Sequence, residues 1–439
     1  MGANMEPKGN PTKGLIGTTL GFFFGFAAVS LYGPTAVEFE KVMGLNPAQV
    51  GLLVAIPALS GSLLRIPFGA WVDTTGGKKP FSILLLLSVV GLGGVFGLLS
   101  LFYPSRMSSD LYPLVLFFGF LSGCGIATFS VGIGQTSYWF PQREQGKALG
   151  IYAGVGNLAP GMFALILPLF LQRYGLISAY LAWWLFLIVG TVLFLVIGAN
   201  AYYFQFVGKG LSREEAIARA RELGQEIFPT GGVLDSLKKS AAKLRTWGLV
   251  IIYFTTFGGF IALTAWFPKY WQSYYGLSGV LAGTFTAAYS LLTSGIRVWG
   301  GKLADRLGGE KVAIYSLLTL LLGALVITLS TNLYVSLAAA IVMAVGMGIA
   351  NAAVFKLVPA YVPEAVGGAA GWVGGLGAFG GFAIPPIMGY IAKQMGAIGY
   401  VRGFMVFILL ALICLGTVYA LHANRVEAVA PEAEGESAL

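Results

Sequence analysis

Long apolar stretches separated by short polar segments occupy nearly the whole chain of 439 residues. Each stretch is close to the roughly 20 residues that an α-helix needs to cross a bilayer. The pattern predicts an all-α membrane protein with twelve transmembrane helices. We expect them at 15–36, 48–71, 80–101, 112–139, 148–171, 178–204, 247–268, 280–303, 312–330, 334–358, 368–391 and 401–422.

One long polar segment, residues 205–246, interrupts this series. Its stretch "LSREEAIARARELGQE" begins with a capping box, Ser212 and Glu215, and carries charges at helical spacing, which predicts a short surface helix. A solvated linker is the simpler interpretation, and a regulatory docking site is the alternative. The expected units are an N-terminal six-helix bundle (1–204), the linker (205–246), a C-terminal six-helix bundle (247–422) and a disordered cytoplasmic tail (423–439).

The two predicted bundles carry matching motifs. "LLRIPFGAWVDTTGGKK" (63–79) and "GIRVWGGKLADRLGGEK" (295–311) share an Arg, a Gly four residues later and an Asp eight residues later. These residues are Arg65, Gly69 and Asp73 in the first motif, and Arg297, Gly301 and Asp305 in the second. The second and eighth helices are therefore copies of each other.

Two further pairs of motifs extend the match. "GIYAGVGN" (150–157) aligns with "GWVGGLGA" (371–378), so that Gly150 and Gly154 correspond to Gly371 and Gly375. "GCGIAT" in the fourth helix likewise matches "GMGIAN" in the tenth. The chain is thus a tandem duplication of six helices, with two pseudo-symmetric bundles. Duplicated transporters bind their substrate near the bilayer midplane, between the repeats.

Composition agrees with a membrane protein: 57% of the residues are hydrophobic, 10% are charged, and the mean hydropathy is +0.80. The net charge of +9 does not indicate nucleic-acid binding, because the cations are sorted by loop. Only six of the 27 Lys and Arg residues fall on the side expected to be external. They are Lys41, Arg106, Arg173, Lys269, Lys393 and Arg402. This positive-inside bias predicts that both termini are cytoplasmic.

Apart from Lys302 and Arg402 at span ends, three cations lie inside predicted spans: Arg65, Arg297 and Lys356. All 18 Asp and Glu residues fall outside the spans or at their ends. An ionised side chain at the centre of a spanning helix costs at least about 2.5–3.5 kcal/mol, and Arg cannot lose its proton. Each Arg precedes its loop Asp by about 12 Å of helix, which is too deep for easy snorkelling. We therefore expect the transported substrate to supply the counter-charge.

Paired guanidinium groups suit a planar oxyanion, because each donates two parallel N–H bonds. This favours a small monovalent or divalent anion. Lys356, in "NAAVFKLVPAYVP", has two interpretations. In the first, its side chain reaches the interface or forms a salt bridge across the cytoplasmic gate. In the second, it is desolvated beside the cationic site and couples protons to the anion.

The repeated GxxxD motifs with their basic loops resemble the signature of the major facilitator superfamily, and the resemblance covers essentially the whole chain. The Gly-rich fifth and eleventh helices, with Arg in the second and eighth, are similar to the nitrate/nitrite porters of the NarK type. The resemblance implies a major facilitator fold and a nitrate ion held by Arg65 and Arg297, with Asp73 and Asp305 at the cytoplasmic gate. Its further implied site residues are Tyr253, Asn157, Phe129, Phe257, Gly154, Gly371 and Gly375.

The resemblance leaves one position open. The family has an aromatic residue in its first helix, and Phe22, Phe23 and Phe24 all lie nearby. Some members also have Gln where Lys356 stands, whereas members with Lys are associated with nitrate/proton symport. We therefore favour symport over nitrate/nitrite exchange, which needs no titratable residue and stays open.

These observations predict a secondary active transporter for nitrate, and for nitrite, in the plasma membrane, acting as a monomer. An organic-anion or drug efflux carrier and a non-transporting membrane sensor are the alternatives. An enzyme is disfavoured, because the only histidine, His422, lies at the end of the last span and the membrane region has no carboxylate and no His/Cys cluster. We expect no cofactor, no metal and no nucleic-acid partner.

Overall fold

The computed structural model describes residues 6–229, 233–362 and 365–436. Within them, ten helices are long and apolar enough to span a bilayer. One of these, Ala148–Ile197, is interrupted at Gly175 (φ 77°, ψ 178°) and forms the fifth and sixth helices. Adding the shorter apolar helix Met405–Leu421 makes twelve, as predicted. The others are Pro11–Met43, Pro47–Thr75, Lys78–Phe102, Ser109–Trp139, Leu244–Tyr275, Gly279–Leu307, Gly309–Leu329, Leu333–Val358 and Gly368–Arg402.

Several helices run past their predicted ends, for example the first to Met43 and the seventh to Tyr275, and two further ends also differ. The sixth helix ends at Ile197, not at 204, because Asn200 ties this segment to the loop after the second helix. Its Oδ1 accepts from the Lys78 N–H at 2.8 Å and its Nδ2 donates to the Thr75 carbonyl at 3.0 Å. The last helix continues to Glu436, into the predicted disordered tail, where Ala and Glu residues favour helix. The side chain of His422 lies outside the described residues.

The two bundles meet along three helix pairs: first with seventh, second with eleventh, and fifth with eighth. The duplication relates the first helix to the seventh, the second to the eighth and the fifth to the eleventh. The second–eleventh and eighth–fifth contacts are therefore equivalent, and the first–seventh contact is its own equivalent. This is the arrangement that a tandem duplication of six helices predicts when both copies pack around one axis.

The linker lies at one face of the molecule, here named the linker face. The start of the first helix is beside it, because the Lys8 N–H donates to Gln205 Oε1 at 2.7 Å. The first and seventh helices both run from this face to the opposite one, the far face. At the far face the backbones of the two bundles approach closely: a Cβ added at Gly33 would lie 2.6 Å from the carbonyl oxygen of Ala265, and one at Gly51 2.6 Å from that of Pro385.

After the short helix Tyr202–Gly208, the described part of the linker contains two more helices. The first, Arg213–Glu222, begins at the predicted capping box, which is confirmed. The second, Val233–Ala241, packs against the eleventh membrane helix. There Ser236 Oγ accepts from the Gly368 N–H, and the Trp372 indole donates to the Leu237 carbonyl, both at 3.0 Å. This part of the linker is thus docked on the C-terminal bundle and is not simply a solvated connection.

The two signature loops turn at equivalent glycines. Gly76 follows the second helix with φ 73°, and Gly308 follows the eighth with φ 86°. Because a Cβ disfavours positive φ, this turn needs glycine. The repeated Gly after each motif Asp is therefore a requirement of the backbone.

Candidate functional site

Proline residues break two helices at the centre of the molecule. Pro67 has no N–H for the carbonyl of Leu63, and the second helix is interrupted between Leu63 and Arg65. Pro160 likewise leaves the carbonyl of Gly156 without its helical partner, and the fifth helix is interrupted around Asn157. Arg65 and Asn157, both predicted site residues, therefore stand at breaks in the helical hydrogen-bonding pattern.

Arg65 is buried between the two bundles, with 2% of its surface exposed. Its Nη1 donates to the carbonyl oxygen of Gly374, in the eleventh helix, at 3.0 Å. Its guanidinium carbon lies 4.9 Å from the ring centre of Phe129 and 5.4 Å from that of Phe257. The Nε and Nη2 atoms are buried and have no hydrogen-bond partner. Over the described part of the chain, Arg65 has no carboxylate partner.

Arg297 reaches the same aromatic ring from the other bundle. Its guanidinium carbon is 5.5 Å from the centre of Phe257, so the two arginines share one ring. Nη2 donates weakly, at 3.5 Å, to the hydroxyl of Tyr253, whose ring stacks on Phe257 with centroids 4.8 Å apart. Phe355 meets Tyr253 edge-on at 5.1 Å. These contacts bring together the predicted residues Arg65, Arg297, Tyr253, Phe257 and Phe129.

The seventh helix presents its two aromatics through an irregular turn. Phe254–Gly258 is a π-type turn, a feature that often occurs at functional sites. At Gly258 this turn lies against the eleventh helix, since a Cβ there would be 2.6 Å from the Gly377 carbonyl oxygen. Glycine thus permits the close crossing that holds Tyr253 and Phe257 between the bundles.

Asn157 lies where the fifth helix contacts the eighth. Its carbonyl oxygen accepts from Ser294 Oγ at 3.2 Å, three residues before Arg297. Its Nδ2 donates to the Ala153 carbonyl at 2.7 Å, while its buried Oδ1 has no partner. In this arrangement the side-chain amide is used within its own helix. Because the amide nitrogen carries two N–H bonds, the contact with Ala153 occupies only one of its donors.

The three predicted glycines have different surroundings. Gly375 packs against the second helix, and a Cβ there would lie 2.8 Å from Cγ1 of Ile66. Gly371 faces Leu237 of the docked linker helix, so it does not join the arginine cluster. Gly154 has nothing within 4 Å of an added Cβ. It lies one turn from Asn157 towards the linker face, where Gly301 of the eighth helix likewise has nothing within 4 Å of an added Cβ.

The structure selects among the first-helix phenylalanines. The Phe22 ring lies 5.4 Å from both Phe129 and Tyr152. Phe23 and Phe24 instead contact Phe163 and Phe186 respectively. Phe22 is therefore the first-helix aromatic beside the cluster. Helical phase around three consecutive Phe residues could not identify it without knowing which face of the helix is inward.

Two residues of the cluster were missed by sequence reasoning. Tyr152 donates to the carbonyls of Thr128 and Phe129, at 2.8 and 3.1 Å, and so supports the Phe129 ring. Its place in "GIYAGVGN", two residues after a motif glycine, was an available signal. The carbonyl of Gly374 that accepts from Arg65 had no signal, because every residue has a carbonyl.

Lys356 corrects one of our interpretations. Its side chain is 54% exposed, and Nζ lies 2.5 Å from Asp305 Oδ1. It is therefore not desolvated beside the arginines. The salt-bridge interpretation holds, but the pair joins the eighth and tenth helices of one bundle and does not cross between bundles. In the other bundle Asp73 accepts from the Tyr138 hydroxyl at 2.6 Å. Neither predicted gate residue contacts the opposite bundle through these bonds.

The chemistry outside the arginine cluster depends on the cysteines and on possible metal ligands, as far as the structure describes them. Cys124 and Cys414 are free and buried. The described residues contain no group of three or more His, Cys, Asp or Glu side chains that could hold a metal ion. The central cluster is thus cationic and aromatic in the part of the chain that the structure describes.

Sequence comparison identifies the family. The Major Facilitator Superfamily model matches residues 18–327 and 281–438. "Probable nitrate/nitrite antiporter NarK1" of Thermus thermophilus is 31% identical over 420 residues, covering 90% of this chain and 88% of its own. "Probable nitrate/nitrite transporter NarK2" of Mycobacterium tuberculosis is 31% identical over 402 residues, covering 91% and 93%. This chain belongs to the nitrate/nitrite porter family of the major facilitator superfamily.

More distant relatives agree with this assignment. The "Nitrite extrusion protein" of Bacillus subtilis is 27% identical, covering 88% of both chains. Among solved structures, the xylose transporter XylE from E. coli has a TM-score of 0.69 at 14% identity, over 92% of this chain and 98% of its own. Another D-xylose-proton symporter structure reaches 0.72 at 12% identity, over 93% and 97%. These likenesses show the major facilitator fold, and family membership confirms a multi-pass membrane transporter and not an enzyme.

Proposed function

We propose that this porter moves nitrate, and also nitrite, across the plasma membrane by alternating access, with both termini in the cytoplasm. The observation that carries the proposal is the pair Arg65 and Arg297. They come from opposite bundles, and both guanidinium groups lie near the ring of Phe257. Neither has a carboxylate partner in the described residues. An anion bound between them would supply the missing negative charge.

The geometry suits a small planar anion. Arg65 keeps Nε and Nη2 unpartnered, and these two atoms lie on one edge of the guanidinium plane. That edge donates two parallel N–H bonds to two oxygens of one anion, which a lysine cannot do. The rings of Phe129 and Phe257 bound the space and exclude water, which strengthens the charge interaction. Nitrate and nitrite fit these requirements, and both occur in the names of the relatives.

Alternating access follows from where the arginines are attached. Because each bundle holds one of them, the anion is bound by both only when the bundles approach each other. Without the anion, the two positive charges oppose that approach. The bound anion thus stabilises the closed intermediate through which transport passes. Asp73 and Asp305, at the linker face, remain our predicted gate residues.

Energy coupling has two versions. Nitrate/proton symport remains our prediction, and Lys356, which is paired with Asp305 and not desolvated, is the residue at which it can be tested. Nitrate/nitrite exchange is the alternative, and the relative from Thermus thermophilus is named an antiporter. Exchange agrees with the repulsion between two arginines in an empty site, which slows the return of an unloaded carrier.

Uptake of nitrate into proteoliposomes tests the function. The protein should accumulate nitrate when the outside is acidic, and a proton ionophore should abolish the accumulation. If nitrite loaded inside is instead necessary and sufficient, exchange is correct. Inhibition by bulky organic anions with no nitrate uptake would favour the organic-anion carrier. Specific binding without any flux of either anion would favour the sensor. Empty liposomes and liposomes with Arg65→Lys are the controls.

A further inference from the structure

An ion pair joins the two bundles far from the arginine cluster. Lys269 Nζ of the seventh helix contacts Glu40 Oε2 of the first helix. The Lys269 side chain is 3% exposed and the Glu40 side chain 25%. The sequence analysis predicts Lys269 on the external side, and Glu40 is one of the acidic residues outside the predicted spans or at their ends. The structure places them in the contact between the bundles.

The pair lies at the far face. Glu40 is near the end of Pro11–Met43 and Lys269 near the end of Leu244–Tyr275, and both helices start at the linker face. The bundles are tightly packed here, as the approach of Gly33 to the Ala265 carbonyl shows. Towards the linker face, in contrast, Cβ atoms added at Gly154 of the fifth helix and Gly301 of the eighth would meet nothing within 4 Å. The ion pair therefore belongs to the closed side of the molecule.

The two partners depend on each other unequally. Lys269 is almost completely buried, and besides Glu40 its Nζ lies 5.9 Å from the centre of the Tyr400 ring. The described residues provide Lys269 with no second carboxylate. A buried ammonium without a counter-charge is strongly unfavourable. Glu40 is a quarter exposed and could be solvated on its own. Loss of Glu40 should thus affect the closed state more than loss of Lys269.

The seventh helix connects this pair to the arginine cluster. Phe257 and Lys269 are 12 residues apart on it, about 18 Å at 1.5 Å per residue. Between them lies a small apolar cavity of about 40 Å³, whose lining includes Phe26, Val54, Phe260 and Thr264. An anion at the arginines is therefore separated from the far face first by apolar side chains and then by the ion pair.

We propose that Glu40 and Lys269 form a latch that holds the far face closed while the linker face is open. Opening of the far face separates the partners and exposes both to water, so the pair stabilises one of the two states. The proposal depends on alternating access as proposed above, but it concerns the barrier and not the transported anion. It also assigns Lys269 a role beyond the loop charge that the sequence indicates.

Distance measurements between spin labels test the latch without any substrate. Labels at Ser108→Cys and Thr331→Cys, in a background with Cys124→Ala and Cys414→Ala, report the separation of the bundles at the far face. Glu40→Gln should raise the ratio of the long-distance to the short-distance population on the order of tenfold or more, because it leaves Lys269 buried and unpaired. Lys269→Met should raise it less.

A matched control and an exchanged pair complete the design. Glu38→Gln removes a neighbouring carboxylate that accepts from Tyr103 within the same bundle, and it should leave the distances unchanged. Glu40→Lys combined with Lys269→Glu should return most of the population to the short distance. The latch is wrong if Glu40→Gln leaves the parental distribution, or if Glu38→Gln shifts it equally. A shift with Glu40→Gln in a protein that fails to move nitrate would retain the latch and reject the proposed function.

Discussion

The two bundles carry equivalent arginines in different surroundings. Arg65 stands at a helix break, is 2% exposed and bonds to a carbonyl of the opposite bundle. Arg297 lies within the uninterrupted helix Gly279–Leu307, is partly exposed and bonds to Tyr253 of its own bundle. Duplication therefore preserved where the charges are attached, while neighbouring residues determined how each charge is held.

The same asymmetry extends to the motif aspartates. Asp73 accepts from a neutral tyrosine, and Asp305 pairs with Lys356. Only the C-terminal bundle thus has an ion pair at its motif aspartate among the described residues. The two copies of the motif aspartate are therefore held differently, as the two arginines are.

Replacing each arginine by lysine gives the largest effect and the sharpest test of this asymmetry. Arg65→Lys should lower nitrate affinity about a hundredfold (roughly 2.7 kcal/mol), because one buried ammonium cannot bond Gly374 and still offer a fork to the anion. Arg297→Lys should lower it about tenfold, since its partner bond is weak. Nitrate binding to purified protein measures both, with Arg306→Lys as the control. Equal losses would contradict the asymmetry, and near-parental affinity in both would contradict the clamp.

Changing the shared ring should affect both arginines together. Phe257→Leu removes the aromatic face that lies near each guanidinium, where cation–π contacts contribute up to about 2 kcal/mol when desolvated. We expect nitrate affinity to fall about tenfold. Phe254→Leu, in the same turn, is the control. In the Arg297→Lys background, a much smaller effect of Phe257→Leu would show that the ring acts through Arg297 alone.

The signature-loop glycines offer a comparison of stability. Gly76→Ala and Gly308→Ala each place a side chain at positive φ, which costs on the order of 1–3 kcal/mol. At Gly76 an added Cβ would also meet Asn200, whereas at Gly308 nothing lies within 4 Å. Gly76→Ala should therefore lower the thermal unfolding temperature of the purified protein by more. The reverse order would show that the loop at Asn200 adapts readily.

The smallest effect on stability is expected at the exposed ion pair. Lys356→Gln should change the free energy of unfolding by less than about 1 kcal/mol, because solvent screens such pairs. If the pair couples protons, the same variant should nevertheless lose nitrate accumulation driven by a pH gradient. Tyr138→Phe removes the hydroxyl that donates to Asp73, the corresponding aspartate in the other bundle, and serves as the control. Full pH-driven accumulation with Gln at position 356 would remove the pair from the coupling mechanism.

Much of the architecture could be predicted from local properties. Spans follow from runs of apolar residues, and the repeated Arg, Gly and Asp positions reveal the duplication. The capping box at Ser212 was predictable because its partners are three residues apart. The depth of Arg65 and Arg297 could be estimated from helical rise. The family resemblance then placed Tyr253, Phe257 and Phe129 beside them, and the structure brings these five residues together.

Other features required the folded chain. Gly374 accepts from Arg65 across 309 positions of sequence, and Lys269 meets Glu40 across 229. The sequence allowed Lys356 to be either desolvated beside the arginines or paired in a salt bridge. The packing of the eighth helix against the tenth decided for the salt bridge with Asp305. The length of each apolar run and the number of charges within it determine which segments enter the membrane, because membrane insertion depends on each segment's own transfer free energy. Partners between bundles depend on helix crossing and rotation, which are set by many distant contacts, so tertiary structure alone decided them.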